Sequence, residues 1–402
     1  MQAKPLLLLA LLHCTPLLAD DEFRVWTSTD GRTVEAAFGG LEGGNVKLRQ
    51  RNGAVAPVPL TKLSGADQEF IKSQGAKPAA KPAFGAPAAG SAKLWPRTTG
   101  LEEAPKAVTV KEDNDAKEYV YQTTNFEFQC DTRLGADVVR EFARMFEGTL
   151  AVNKALPLNF EPTPEAGREK FVARLFTSKD DYFKAGAIPG SAGVYMGGQR
   201  SIFVPLASLG VKMVGKRVAL EPVSDNSTLI HEITHQMMNH WIPKLPTWYV
   251  EGSAEYIAAQ KYHMGRFTLS GPGASLKKYM HDHKGVWEKN YTMWHIYHLM
   301  SIDSRTWAEA MTTVTTAMRN YNSANILTYY YYHVDDKGDA AHVIDWIKDI
   351  GAGTKRDEAT QKHLIRGRSY KEIEKEVAKC MMKEGITLDF AGEASGTGAD
   401  SK

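Results

Sequence analysis

The segment from Ser227 to His240, STLIHEITHQMMNH, restricts the possible folds of this chain more than any other. His231 and His235 stand four residues apart, a spacing that puts both imidazoles on one face of a helix, one turn from each other, where they can grip a single metal ion. Glu232 sits one step around the same helix, offset from the imidazole pair yet close enough to take a proton from a water at the ion. From Thr228 to Met237 there is no proline, and Glu232 is the one formally charged side chain when the histidines are neutral. A helix of that composition belongs inside a domain.

Two imidazoles leave zinc one protein ligand short of the usual three. The segment PTWYVEGSAEY supplies two acidic candidates, Glu251 and Glu255, one turn apart on a single helical face. If Glu251 ligates, Glu255 can orient a histidine through the ring nitrogen that does not touch the metal. Trp248, Glu251, Gly252, Ala254 and Tyr256, taken with His231, Glu232 and His235, resemble the signature of the gluzincin-type zinc metallopeptidases that bacteria export. That resemblance implies an α+β, zincin-like domain in which a small mixed sheet precedes a helical half. It also implies zinc held by His231, His235 and Glu251, with Glu232 as the catalytic base and the glycine allowing close helix packing. Fifteen residues separate His235 from Glu251, fewer than is usual in the family, and Glu255 would restore the longer connection. The Trp-x-x-Glu-Gly context matches Glu251.

Peptide hydrolysis also needs a donor for the oxyanion that develops as water attacks the carbonyl. Through the same resemblance, the run RNYNSANILTYYYYHVDD points to Tyr321 in that role, with Tyr291 in KNYTMWHIYHLM as the alternative. The strand from Tyr195 to Pro205 resembles the edge strand along which an extended substrate pairs. His281, His283, His295 and His298 read as loop or helix-surface residues, because no further ligand cluster accompanies them. His240 has the wrong phase to face the ion.

The remainder of the chain divides by composition. Lys4 followed by the apolar run Leu6 to Leu12 reads as a signal peptide over residues 1–19, too short to span a bilayer. Residues 22–75 alternate apolar and polar positions between turns at Asp30-Gly31, Gly43-Gly44 and Asn52-Gly53, the pattern of a small antiparallel β-unit. With Trp26, the VPL strand and the closing LSGADQEFI, this unit resembles the SH3-like homology module of actin-patch adaptors and of many bacterial exported proteins. The resemblance implies an SH3-like barrel and a protein or surface ligand. Residues 76–95, rich in Ala, Pro, Gly and Lys, read as a linker, residues 96–390 as the metallopeptidase domain, and residues 391–402 as a disordered tail.

A content of 43% hydrophobic residues suffices for a core along most of the 402 residues. The net charge of +2 carries no basic run that would favour nucleic acid, and no stretch of the mature chain is apolar enough to cross a membrane. Cys130 falls on the apolar face of a strand and Cys380 on that of a helix, which favours two core thiols over one disulfide. The expected activity is that of a secreted or periplasmic zinc-dependent metallopeptidase acting on a peptide or protein. The alternative is a cell-surface binding protein whose zinc is structural and whose β-unit makes the functional contact.

Overall fold

The computed structural model describes residues 23–76 and 95–392, apart from residues 43, 50–54, 159, 166, 188–190, 192, 215–216, 221–225, 284–288 and 312. The expected leader, nearly all of the expected linker and the tail beyond residue 392 lie outside the described residues. The chain separates into two compact units, one within residues 17–92 and one that carries residues 93–402.

In the small unit four strands, Phe23–Thr27, Thr33–Glu42, Asn45–Arg49 and Val55–Pro59, form an antiparallel meander in sequence order. Its core holds Trp26, Val46, Leu48, Leu63 and Ile71, all buried. The helix Gly65–Ala76 is fixed to the sheet by one carboxylate. Asp67 is 2% exposed and accepts from Arg24 Nη2 at 2.7 Å, from the Thr27 amide at 2.8 Å and from Ser64 Oγ at 2.9 Å. The Arg24 guanidinium carbon in turn lies 4.8 Å from the Trp26 ring centre and 3.9 Å from that of Phe70.

The large unit is α+β. Its main sheet has six strands in the order Val194–Met196, Ser201–Pro205, Phe171–Phe176, Phe126–Cys130, Glu118–Gln122 and Val108–Asp113. The three central strands run parallel, with Ala173 opposite both Phe128 and Ile202, and the outer strands are antiparallel. The parallel pair Phe126–Cys130 and Phe171–Phe176 needs a crossover, and the helix Ala136–Ala155 supplies it. Its apolar positions repeat at helical spacing, so Phe142, Phe146 and Leu150 are buried together, with the Phe146 ring 5.1 Å from Phe128 and 5.3 Å from Phe126.

After Ser227 helices predominate, and three of them position the site. An imidazole helix runs over Ser227–Met237, a carboxylate helix over Thr247–Ala258 and a long helix over Val314–His333. The strand pair Asn290–Trp294 and Thr387–Ala391 interrupts this half, as does the hairpin Lys261–His263 and Arg266–Thr268. Cys130 and Cys380 are buried and free, and burial pushes their thiols up to about 12 and about 11. No helix among the described residues is long and apolar enough to cross a membrane.

Candidate metal centre

The imidazole helix is anchored at its C-terminal end to the sheet half of its unit. Gln236 Nε2 donates to the Val172 carbonyl at 3.0 Å, and just beyond the helix Trp241 Nε1 donates to the Phe160 carbonyl at 3.0 Å. Every residue from Leu229 to Met237 is buried, so the histidines sit in a low-dielectric interior. A short connection through Leu245 and Pro246 then turns the chain into the carboxylate helix, whose Glu251 and Glu255 are 1% and 2% exposed.

The helices meet at three ligand atoms. His231 Nε2 and His235 Nε2 are 2.9 Å apart, and Glu251 Oε2 lies 3.3 Å from the first and 3.4 Å from the second. A tetrahedral ion with ligands at about 2.0–2.1 Å places its donor atoms about 3.3–3.4 Å from one another. The two carboxylate distances match that figure, and the imidazole pair is slightly tighter. Glu251 Oε2 is fully buried and the angles leave it without a hydrogen bond, as does the geometry at His235 Nδ1. Three converging lone-pair atoms with an orphaned carboxylate oxygen fit a divalent cation bound by nitrogen and oxygen. Among the described residues these three form the one group of His, Cys, Asp and Glu side chains arranged to hold a metal.

Without an ion the buried charges of the cluster compensate one another, and a proton on His231 has to leave before its ring can ligate a metal. Burial opposes a charge on His231, but Glu251 and Glu255 outweigh it and lift its pKa to about 10. Burial likewise works against the Glu251 carboxylate, yet His235 and His231 hold its pKa at about 2. His231 Nδ1 faces Glu255 Oε1 at 3.1 Å, so Glu255 contacts the ring edge away from the ligand atoms. Glu232 Oε2 accepts from the Tyr195 amide at 3.2 Å, and burial raises its pKa. The single edge strand expected over Tyr195–Pro205 is a hairpin: Ser201–Pro205 lies inside the sheet, and Val194–Met196, which carries Tyr195, is the edge that borders the catalytic glutamate candidate.

Tyr321 is brought to this centre and Tyr291 is not. The Tyr321 ring stands edge-on to His231 with centres 5.9 Å apart and is backed by Trp307 at 5.8 Å. Tyr291 instead donates to the Met318 carbonyl at 3.4 Å. Of the remaining histidines, His240 and His281 are exposed, His281 Nδ1 lies 2.8 Å from Asp282, and His295 Nδ1 lies 2.9 Å from the buried Glu374. The side chain of His283 lies outside the described residues.

Sequence reasoning missed Glu165. It is 5% exposed, accepts from the Tyr195 hydroxyl at 3.1 Å and so braces the residue whose amide holds Glu232. It comes from the irregular segment EPTPEAG, where no periodicity exists to reveal it.

Comparison with known proteins bears on the small unit. Residues 18–78 match the family model of SLA1 homology domain 1, so this part of the chain is similar to that β-rich module. No curated protein matches the chain.

Proposed function

We infer that this chain is a zinc-dependent hydrolase of gluzincin type, a secreted metallopeptidase with a zincin-like domain over residues 96–390. The observation that carries this reading is the convergence of His231, His235 and Glu251 at tetrahedral spacing, with Glu232 on the flank and not among the ligands. Zinc bound there would supply Lewis-acid polarisation of the scissile carbonyl and a readily deprotonated water. The protein's residues do the rest. Glu232 accepts the proton of the attacking water and passes it to the leaving amine. The Tyr195 amide fixes the glutamate's direction, and Glu255 fixes the ring of His231. The edge strand Val194–Met196 offers backbone groups to an extended peptide. Tyr321, buried beside His231, is the assigned donor to the oxyanion. The module at residues 18–78 is assigned the contact with a protein or surface ligand.

Two variants test the roles. Glu232→Gln should keep one bound zinc by elemental analysis while lowering kcat on a general peptide substrate by more than about 1,000-fold. Full activity in that variant would refute the general-base role. Tyr321→Phe should lower kcat by about 100-fold with KM little changed and zinc content intact, as expected for a group that acts only on the developing charge.

A further inference from the structure

The irregular segment 160–168 joins the helix that carries Glu232 to the strand that borders it. At one end it receives the imidazole helix: Trp241 Nε1 donates to the Phe160 carbonyl at 3.0 Å, and Asn239 Nδ2 to the Thr163 carbonyl at 3.2 Å. At the other end it holds the edge hairpin. Glu165 Oε1 accepts from the Tyr195 hydroxyl at 3.1 Å, while Arg168 donates to the Arg200 carbonyl at 2.6 Å, to Ser201 Oγ at 3.1 Å and to the Gln199 carbonyl at 3.3 Å. The Arg168 amide closes back on the Glu165 carbonyl at 3.0 Å, so both side chains leave from one turn. Glu161, a non-glycine residue, bends the segment with a φ of 47°, a left-handed conformation that costs energy and concentrates at working sites.

Glu165 is costly to bury in that turn. It is 5% exposed, and its Oε2 is shut away from water without a hydrogen-bond partner. Among the described residues its Oε1 takes only the Tyr195 hydroxyl. A carboxylate buried for one neutral donor contributes little to stability, because the lost hydration offsets the single hydrogen bond. What it does contribute is position.

Tyr195 carries that position to the site. Its side chain ends on Glu165 and its amide donates to Glu232 Oε2 at 3.2 Å. Two residues earlier, a methyl group on Gly193 would lie 3.5 Å from Glu232 Cγ. The placement of residues 193–195 therefore sets where the Glu232 side chain rests. We propose that Glu165 is a positioning residue for Glu232, acting through Tyr195: it holds the edge strand where the Tyr195 amide restrains the glutamate. The catalytic consequence rests on the reading of Glu232 as general base, whereas the restraint itself needs neither metal nor substrate.

Hydrogen exchange of the Tyr195 amide, followed by NMR at single-residue resolution in the full-length protein, tests the restraint directly. Glu165→Ala and Tyr195→Phe should each speed that exchange by about tenfold while the amides of the crossover helix keep their parental rates. Glu165→Gln retains an acceptor for the hydroxyl and should exchange like the parent. All three should melt within about 5 °C of the parent. On a general peptide substrate Glu165→Ala and Tyr195→Phe should lower kcat by about 10- to 30-fold with KM and zinc content little changed. In a Glu232→Gln background Glu165→Ala should cost nothing further, since the group it positions is already gone. Parental exchange at Tyr195 in both disruptive variants would overturn the proposal, as would an undiminished loss from Glu165→Ala in the Glu232→Gln background. Acceleration spread equally over the crossover helix would also overturn it, in favour of a general loosening of the unit. A zinc-loaded parent that cleaves no peptide would strike the metallopeptidase reading alone, and the exchange rates would still decide the restraint.

Discussion

Two buried glutamates in the large unit meet the cost of burial in opposite ways. Glu147, on the crossover helix and 6% exposed, accepts from Thr123 Oγ1 at 2.6 Å, from the Asn125 amide at 2.9 Å and from Asn125 Nδ2 at 2.7 Å. Its charge is answered by neutral dipoles of the chain itself, and the result is a pinned turn between two sheet strands. Glu251, 1% exposed, has its Oε2 aimed at two imidazole nitrogens and no acceptable hydrogen bond. The fold answers the first carboxylate with donors of its own and leaves an oxygen of the second open, which fits the proposed role of Glu251 as a metal ligand.

Exchanging the roles of these residues is the strongest way to break that comparison. Glu251→Gln should weaken zinc by more than about 100-fold in a chelator competition, since loss of even an indirect partner commonly costs 10- to 100-fold. Glu147→Gln should leave zinc affinity unchanged. An equal loss in both variants would mean that Glu251 has no special relation to the ion.

Stability sharpens the contrast. Glu147→Ala strands three donors and should lower the stability of the large unit by roughly 3 kcal/mol in denaturant titrations, with or without chelator. The deficit of Glu251→Gln should instead shrink to within about 1 kcal/mol of the parent once zinc is removed, because metal bound to the native state adds stability only while it is present. A Glu147→Ala deficit that vanished with chelator would place both glutamates in one class.

A smaller effect comes from a third buried ionisable group. Burial lowers the pKa of His333 to about 4, and its Nε2 lies 2.8 Å from the Tyr256 hydroxyl. The unfolded chain, with an ordinary histidine near 6.5, binds a proton more readily than the native state across that interval, so stability falls as pH drops from about 6.5 to about 4. The expected contribution is on the order of 1–3 kcal/mol, and His333→Gln should flatten this part of a plot of stability against pH. An unchanged slope in the variant would assign the acid loss to other groups.

Much of the large unit was legible in the sequence because its signals are periodic. The crossover helix shows its apolar stripe directly, and the four-residue interval between His231 and His235 is enough by itself to fix their common face. Glu251 was legible through its aromatic neighbours. Other features depend on long-range pairing that leaves no local pattern. Glu147 reaches a turn 22 to 24 residues away, Glu165 reaches Tyr195 across 30, and Asp335 gathers Arg366 and Arg368 from 31 and 33 residues on. The Tyr195 amide that holds Glu232 is backbone, which side-chain identity does not encode. The outer strands Val108–Asp113 and Glu118–Gln122 also escaped notice, since the first is largely exposed and charged residues occupy half of it.

Gly252, one residue beyond the Glu251 carboxylate, contributes by what it lacks. A methyl group there would press into Thr328 Oγ1 and sit 2.5 Å from the Ala324 carbonyl oxygen, so the carboxylate helix and the long helix touch backbone to backbone. The long helix carries Tyr321 and the carboxylate helix carries Glu251, which makes a single hydrogen atom the gauge block between an acid and a phenol. Any larger residue would wedge the two apart, and a few tenths of an ångström of such separation would be felt by any site that draws on both helices.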